Sequence, residues 1–311
     1  MSTLDRYGFI REQLKRDKLA GRSNNVLGDV FHVLPGSSAT HLNYAKKQRR
    51  NVFDTIDAAY AQMVSGRGDA MVIWPGSHTP TASIAVAKNN ISVFGWEAWL
   101  QQKVRKSASI ITAPAGAAAF AITGENAKLI GLACVPVTQQ SFATFTGDAD
   151  GLTIRDCFLD LFTPAVHLST KGFTASAGID NFLFEGNVIW SDGAQGPGLT
   201  LSGLNNNALC RGNLWHVDAG TWAVAASLID IDGLLVEEDT ATCGGTAMTA
   251  CYDGSGTTVV AGAVFKRCVN GVNVTKFVDG FGTTSHAELV QNYIGTIGGG
   301  NGGATLVTAI T

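Results

Sequence analysis

Three copies of one short phrase decide the fold: Phe184-Glu185-Gly186-Asn187-Val188, Cys210-Arg211-Gly212-Asn213-Leu214 and Val236-Glu237-Glu238-Asp239-Thr240. Their first residues are spaced by 26 and again by 26. Upstream the phrase continues through Ile154-Arg155-Asp156-Cys157-Phe158 and Ile130-Gly131-Leu132-Ala133-Cys134, and downstream it fades at Val260 and Val290. A period of this length, whose unit is strand, turn, strand, predicts a chain coiled on itself, each coil covering what its neighbour cannot bury alone. Apolar and polar residues alternate through Leu152, Ile154 and Phe158, and through Phe182, Phe184 and Val188. That is the period of two that belongs to strands.

Asn recurs where the strand direction must change, at Asn187, Asn213 and Asn292, each time before an apolar residue. Asn tolerates the left-handed backbone region and bonds its own main chain, so stacked copies are expected to form a side-chain ladder. Ordinary antiparallel hairpins with Asn at their turns are the alternative, but hairpins have no reason to keep a 26-residue spacing.

The chain of 311 residues has 37 Gly and only 15% charged residues, which suits an all-β body with many corners. No apolar run reaches the roughly 18 residues of a membrane span. The first residues, Met1 to Arg6, lack an apolar signal core, so synthesis in a cytoplasm is expected. The six Cys form neither a CxxC pair nor a Cys/His cluster. Cys134, Cys157 and Cys210 stand at apolar positions of the repeat and read as small buried hydrophobes, while Cys243 and Cys251 are spaced to bridge a loop.

Charge is divided unevenly along the chain. Residues 1–50 carry ten basic groups (Arg6, Arg11, Lys15, Arg16, Lys18, Arg22, Lys46, Lys47, Arg49 and Arg50) against four acids, a balance of +6. The remaining residues balance at −9. A basic arm and an acidic body imply different partners for the two, and the ten cations are the candidate partner-binding residues. Leu4 to Leu19 has the pattern of a short helix weakened by Gly8, followed by a linker at Gly21 to Asn25. The resulting division is a basic arm over 1–29, a repeat body over 30–297, and a Gly-rich linker and tail over 298–311. Trp96, Trp99 and Lys103 to Lys106 read as an excursion from the regular path.

A helix is predicted over Phe53–Val64, capped by Asp54 or Thr55, with Ile56, Ala59, Tyr60 and Met63 on one face. The succession Phe53-Asp54-Thr55-Ile56-Asp57-Ala58-Ala59, then Gly68-Asp69-Ala70-Met71-Val72-Ile73-Trp74-Pro75-Gly76, resembles the opening of right-handed parallel β-helices of the pectin-lyase-like class. The resemblance implies an all-β solenoid whose first coil is covered by an amphipathic helix, since an open coil exposes core and unpaired strand edges.

That class includes polysaccharide lyases and hydrolases, which need paired carboxylates or a carboxylate-bound metal. The best candidate cluster is Asp230, Asp232, Glu237, Glu238 and Asp239, with Arg211, His216 and Asp218 one coil below. Arg211 is expected to face Glu237 across about 4.8 Å, which equally describes a cross-coil ion pair. The sequence has no Asp-Asp pair, Gly-His-Gly, Asn-Thr-Asp or phosphate loop, so no catalytic, metal or cofactor residue is assigned. A Gly- and Ala-rich β-helix with a basic arm is similar to virion structural proteins of tailed bacteriophages, of decoration, cement or spike type. That similarity implies a non-enzymatic homotrimer in the virion, bound through its arm to the major capsid protein or another virion protein, without a nucleic-acid or membrane partner. The alternatives are a tailspike-like carbohydrate-binding or carbohydrate-cleaving β-helix and a bacterial adhesin-type β-helix.

Overall fold

In the computed structural model the chain is a parallel β-solenoid, described here for residues 28–34, 51–95, 109–136, 141–147, 149–161, 171–192, 195–218, 220–245, 247–254, 260–271, 273–279, 287–290, 292–294 and 305–307. The expected helix over Leu4 to Leu19, the Trp96–Lys106 excursion, the linker at 298–303 and all ten cations from Arg6 to Arg50 lie outside these residues.

Three stacks of parallel strands build the coils. The first runs from Val30–Val33 through Ala70–Ile73, Ser92–Phe94, Lys128–Ile130, Thr153–Arg155 and Leu183–Glu185, then through the ends of Leu199–Arg211 and Thr221–Glu237, to Ala263–Lys266 and Ala287–Val290. The second is a separate sheet of nine parallel strands among the described residues, from Gly76–His78 to Asn292–Ile294. The third runs from Ile84–Val86 to Val274–Asp279 and borrows the first halves of the two long strands. The repeat sets the register directly: Phe184 lies beside Cys210 and Cys210 beside Val236.

Left-handed residues form two columns, one on each side of the first stack. On the leading side stand Gly68, Asn90, Asn126, Gly151, Asn181, Asn207, Gly233 and Gly262; on the trailing side stand Gly131, Asp156, Gly186, Gly212, Glu238 and Arg267; all have φ between 54° and 80°. An L residue at such a φ costs on the order of 1 kcal/mol, less for Asn, which is why Gly and Asn dominate the columns. The sequence reading placed this role on Asn187 and Asn213. The structure places it one position earlier, on Gly186 and Gly212.

Inward residues close a buried apolar core. A chain of rings runs up it from Phe120 through Phe142, Phe173, Phe184, Trp215 and Tyr252 to Phe265, with successive centroids 5.5–5.9 Å apart. Each such contact adds roughly 0.5–1.5 kcal/mol to the apolar burial itself. All six cysteines are free and buried; Cys243 and Cys251 form no bridge.

The helix is Ile56–Gln62, shorter than expected because Val52–Phe53 is drawn into a strand beside Val30–Val33. Thr55 is its N-cap, accepting from the Ala58 N–H at 3.2 Å. Ile56, Ala59 and Met63 are buried against the core. Seven residues do not hold a helix on their own. Here the Lys88 ammonium donates to the carbonyls of Tyr60, Ala61 and Met63 at 2.8, 3.2 and 2.6 Å, satisfying the C-terminal end. At the other end of the molecule Thr305–Val307 pairs antiparallel with Asn292–Ile294. Among the described residues no helix is long and apolar enough to cross a membrane.

Candidate functional site

The acidic cluster divides between inside and outside of the wall. Asp239 follows the left-handed Glu238, so its side chain turns inward and is fully buried, whereas Glu237 and Glu238 face out. Asp232 is exposed on the leading side, and the Asp230 side chain lies outside the described residues.

Asp239 ends a ladder of amides. The Asn187 N–H and Nδ2 donate to Asn213 Oδ1 at 3.0 and 3.1 Å, and the Asn213 N–H and Nδ2 donate to Asp239 Oδ1 at 2.8 and 3.1 Å. The second amide hydrogen of each Asn reaches a core-facing carbonyl, of Ile154 from Asn187 and of Phe184 from Asn213. The other Asp239 oxygen accepts from Trp215 Nε1 at 3.0 Å and from the Tyr252 hydroxyl at 2.6 Å. A carboxylate is the natural terminus, since it accepts at four points and donates at none. Burial nevertheless outweighs these donors and pushes the carboxyl up to about 6. Asn292, the third expected rung, is separated from Asp239 by the coil of Cys268, so the ladder stops at two amides and one acid.

Outside, the last residues of the first-stack strands form a column of alternating sign: Arg155, Glu185, Arg211, Glu237 and Lys266. Arg211 lies in register with Glu237, as the 26-residue spacing required, but its guanidinium is bonded to Glu185, with Nε to Oε1 at 2.9 Å. Glu237 is taken by Arg267 at 2.7 Å and Lys266 at 3.5 Å, and Glu238 by Arg267 at 2.8 Å. His216 and Asp218 stand apart from this column. His216 Nδ1 lies 2.8 Å from Thr242 Oγ1 and its ring lies 4.0 Å from that of Trp190, on the outer surface of the second sheet; burial lowers its pKa, with Asp218 opposing. Among the described residues no group of three or more His, Cys, Asp or Glu is placed to hold a metal.

Two features escaped the sequence reading. Tyr252 reaches Asp239 across only 13 residues, half a repeat, so a search at the full period passes over it. The outward column Leu183, Leu209, Leu235 and Val264 adjoins the charge column at every coil. It was legible, since the residue preceding each copy of the phrase is aliphatic.

No family model and no curated protein matches the chain. Among solved structures it is similar to pectin methylesterase PemA from Erwinia chrysanthemi, with TM-score 0.49 and 12% identity over 87% of this chain and 90% of that one. It is also similar to pectate lyase Pel9A, with TM-score 0.34 and 11% identity over 88% and 78% of the two chains. A third likeness is to Geobacillus virus E2 ORF18, with TM-score 0.30 and 12% identity over 81% and 60%. These likenesses say nothing of chemistry, and the solenoid stands on its own strand registers.

Proposed function

We propose that the chain is a non-enzymatic structural protein of a phage virion, a capsid decoration or cement protein. In this reading residues 1–50 anchor it to the major capsid protein or another virion protein. The observation that carries the non-enzymatic part is the fate of the carboxylates: Asp239 is an acceptor inside the wall, and Glu185, Glu237 and Glu238 are bound to cations of neighbouring coils. Pairing along this row stiffens the wall, and no two of the row's own acids face each other as the carboxylates across a saccharide bond must. The anchor rests on the separation of +6 in residues 1–50 from −9 in the remainder. The Gly28 N–H donates to the Gly68 carbonyl, which ties the chain into the coils at that point, so removal of residues 1–27 tests the arm. That truncated protein is expected to fold, by far-ultraviolet circular dichroism, yet to be lost from purified particles. Truncated protein that still loads onto particles overturns an anchor in residues 1–27.

A saccharide-binding spike is the second reading, favoured by Trp190, a half-buried ring on the outer surface beside His216. Such a ring is a stacking platform for a sugar. Under this reading, host surface polysaccharide changes the tryptophan fluorescence of the full chain and Trp190→Ala abolishes the change; the decoration reading expects no change in either protein.

A further inference from the structure

The outer face of the first stack carries two adjacent columns that run along the solenoid. One is aliphatic, with Leu183, Leu209, Leu235 and Val264 half-buried on four successive coils. The other reads, in the same coils, Glu185, Arg211, Glu237 and Lys266, which is minus, plus, minus, plus. These charged side chains stay partly open to solvent, at 21%, 34%, 17% and 39%. Beyond the corner the second sheet adds Val188, Leu214 and the exposed Val269, with Thr240 between them.

Alternating charge on a regular spacing is reciprocally self-complementary when two stripes run antiparallel. Turned about a two-fold axis that lies in the contact plane, across the solenoid and between the coils of Arg211 and Glu237, a second stripe runs antiparallel to the first. Arg211 then meets the partner's Glu237, and Glu185 meets the partner's Lys266. The same operation sets Leu209 against the partner's Leu235 and Leu183 against the partner's Val264. Every contact is reciprocal, as an isologous interface demands. A parallel two-fold whose axis follows the charge column brings like charges together at every coil. Like charges so placed select against that arrangement.

We infer that this stripe is the contact surface for a second copy of the chain, packed antiparallel about a two-fold axis between the coils of Arg211 and Glu237. The inference does not depend on the virion reading, since it concerns the purified full-length chain. Sedimentation at micromolar concentration is expected to give the mass of two chains. Leu183→Cys and Val264→Cys proteins, mixed and treated with a short bis-maleimide, are expected to cross-link to each other, because those positions face across the axis. Leu183→Cys alone stands three coil spacings from its own copy, about 14 Å, and is expected to cross-link poorly. The native cysteines are buried and do not compete. A charge exchange keeps the test open where a cysteine variant fails to fold. Arg211→Glu or Glu237→Arg alone is expected to cut the dimer fraction at least about fivefold, and the double variant to restore it. A one-chain mass, or Leu183→Cys cross-linking to itself as readily as to Val264→Cys, overturns the inference.

Discussion

Asp239 is a fully buried carboxylate, and its titration is therefore written into stability. Its folded-state pKa of about 6 lies above the ordinary carboxylate value. Between about pH 4 and 6 the folded chain consequently holds a proton that the unfolded chain has released. The contribution of this residue to stability thus rises as pH falls through 6 and is lost as pH climbs past it, by up to about 3 kcal/mol in all. Urea unfolding at pH 7.5 and pH 5 is expected to show this rise, and Asp239→Asn to flatten it; an unchanged pH slope in the variant would remove Asp239 as its source. The approximate value of that pKa was not legible in sequence, where Asp239 looked like one of five clustered acids. The deciding facts are the inward turn after Glu238 and the Tyr252 hydroxyl from half a repeat away.

Asparagine serves two purposes at the corners, and separating them explains what could and could not be read. Its amide supplies two donors and an acceptor to a ladder, and its short side chain tolerates a left-handed backbone. Asn187 and Asn213 do the first, while Asn90, Asn126, Asn181 and Asn207 do the second. The repeat announced that Asn mattered at the corner, and the ladder was legible from stacking alone. Which residue takes the positive φ was not, because Gly186 and Gly212 sit immediately before the ladder and both types are turn formers. Substitution by glycine distinguishes the roles. Asn207→Gly is expected to change stability by less than about 0.5 kcal/mol, since glycine enters that backbone region freely. Asn213→Gly strands the Asn187 amide and the Phe184 carbonyl in the core and is expected to cost roughly 2–4 kcal/mol. Equal midpoints for the two variants in thermal unfolding would refute the division of roles. Corner geometry also limited the helix reading. Phe53 has the apolar character of a first helical turn, yet strand pairing with Val33 claims it and leaves Thr55 as the cap.

At the scale of the molecule, the 26-residue period foretold the architecture because a solenoid turns sequence spacing directly into spatial neighbourhood. Contacts therefore run almost wholly between adjacent coils, and stability accumulates coil by coil. The basic segment to which the function is tied follows no such rule: its cations form no repeat, and its proposed partner is another protein.

The reversed strand Thr305–Val307 has an effect that reaches past its own three residues. A parallel ladder, left to itself, is a template with no natural stopping point, and a bare final rung invites the first rung of another molecule to continue it. Placing a strand of opposite polarity there spoils the match for any newcomer on that sheet, while the helix at Ile56–Gln62 obstructs the other extremity. With nine rungs about 4.8 Å apart, that sheet spans roughly 40 Å. Loss of Thr305–Val307 is expected to leave the rung Asn292–Ile294 open to a newcomer, and light scattering that shows no added concentration-dependent assembly in the shortened chain would refute that guard.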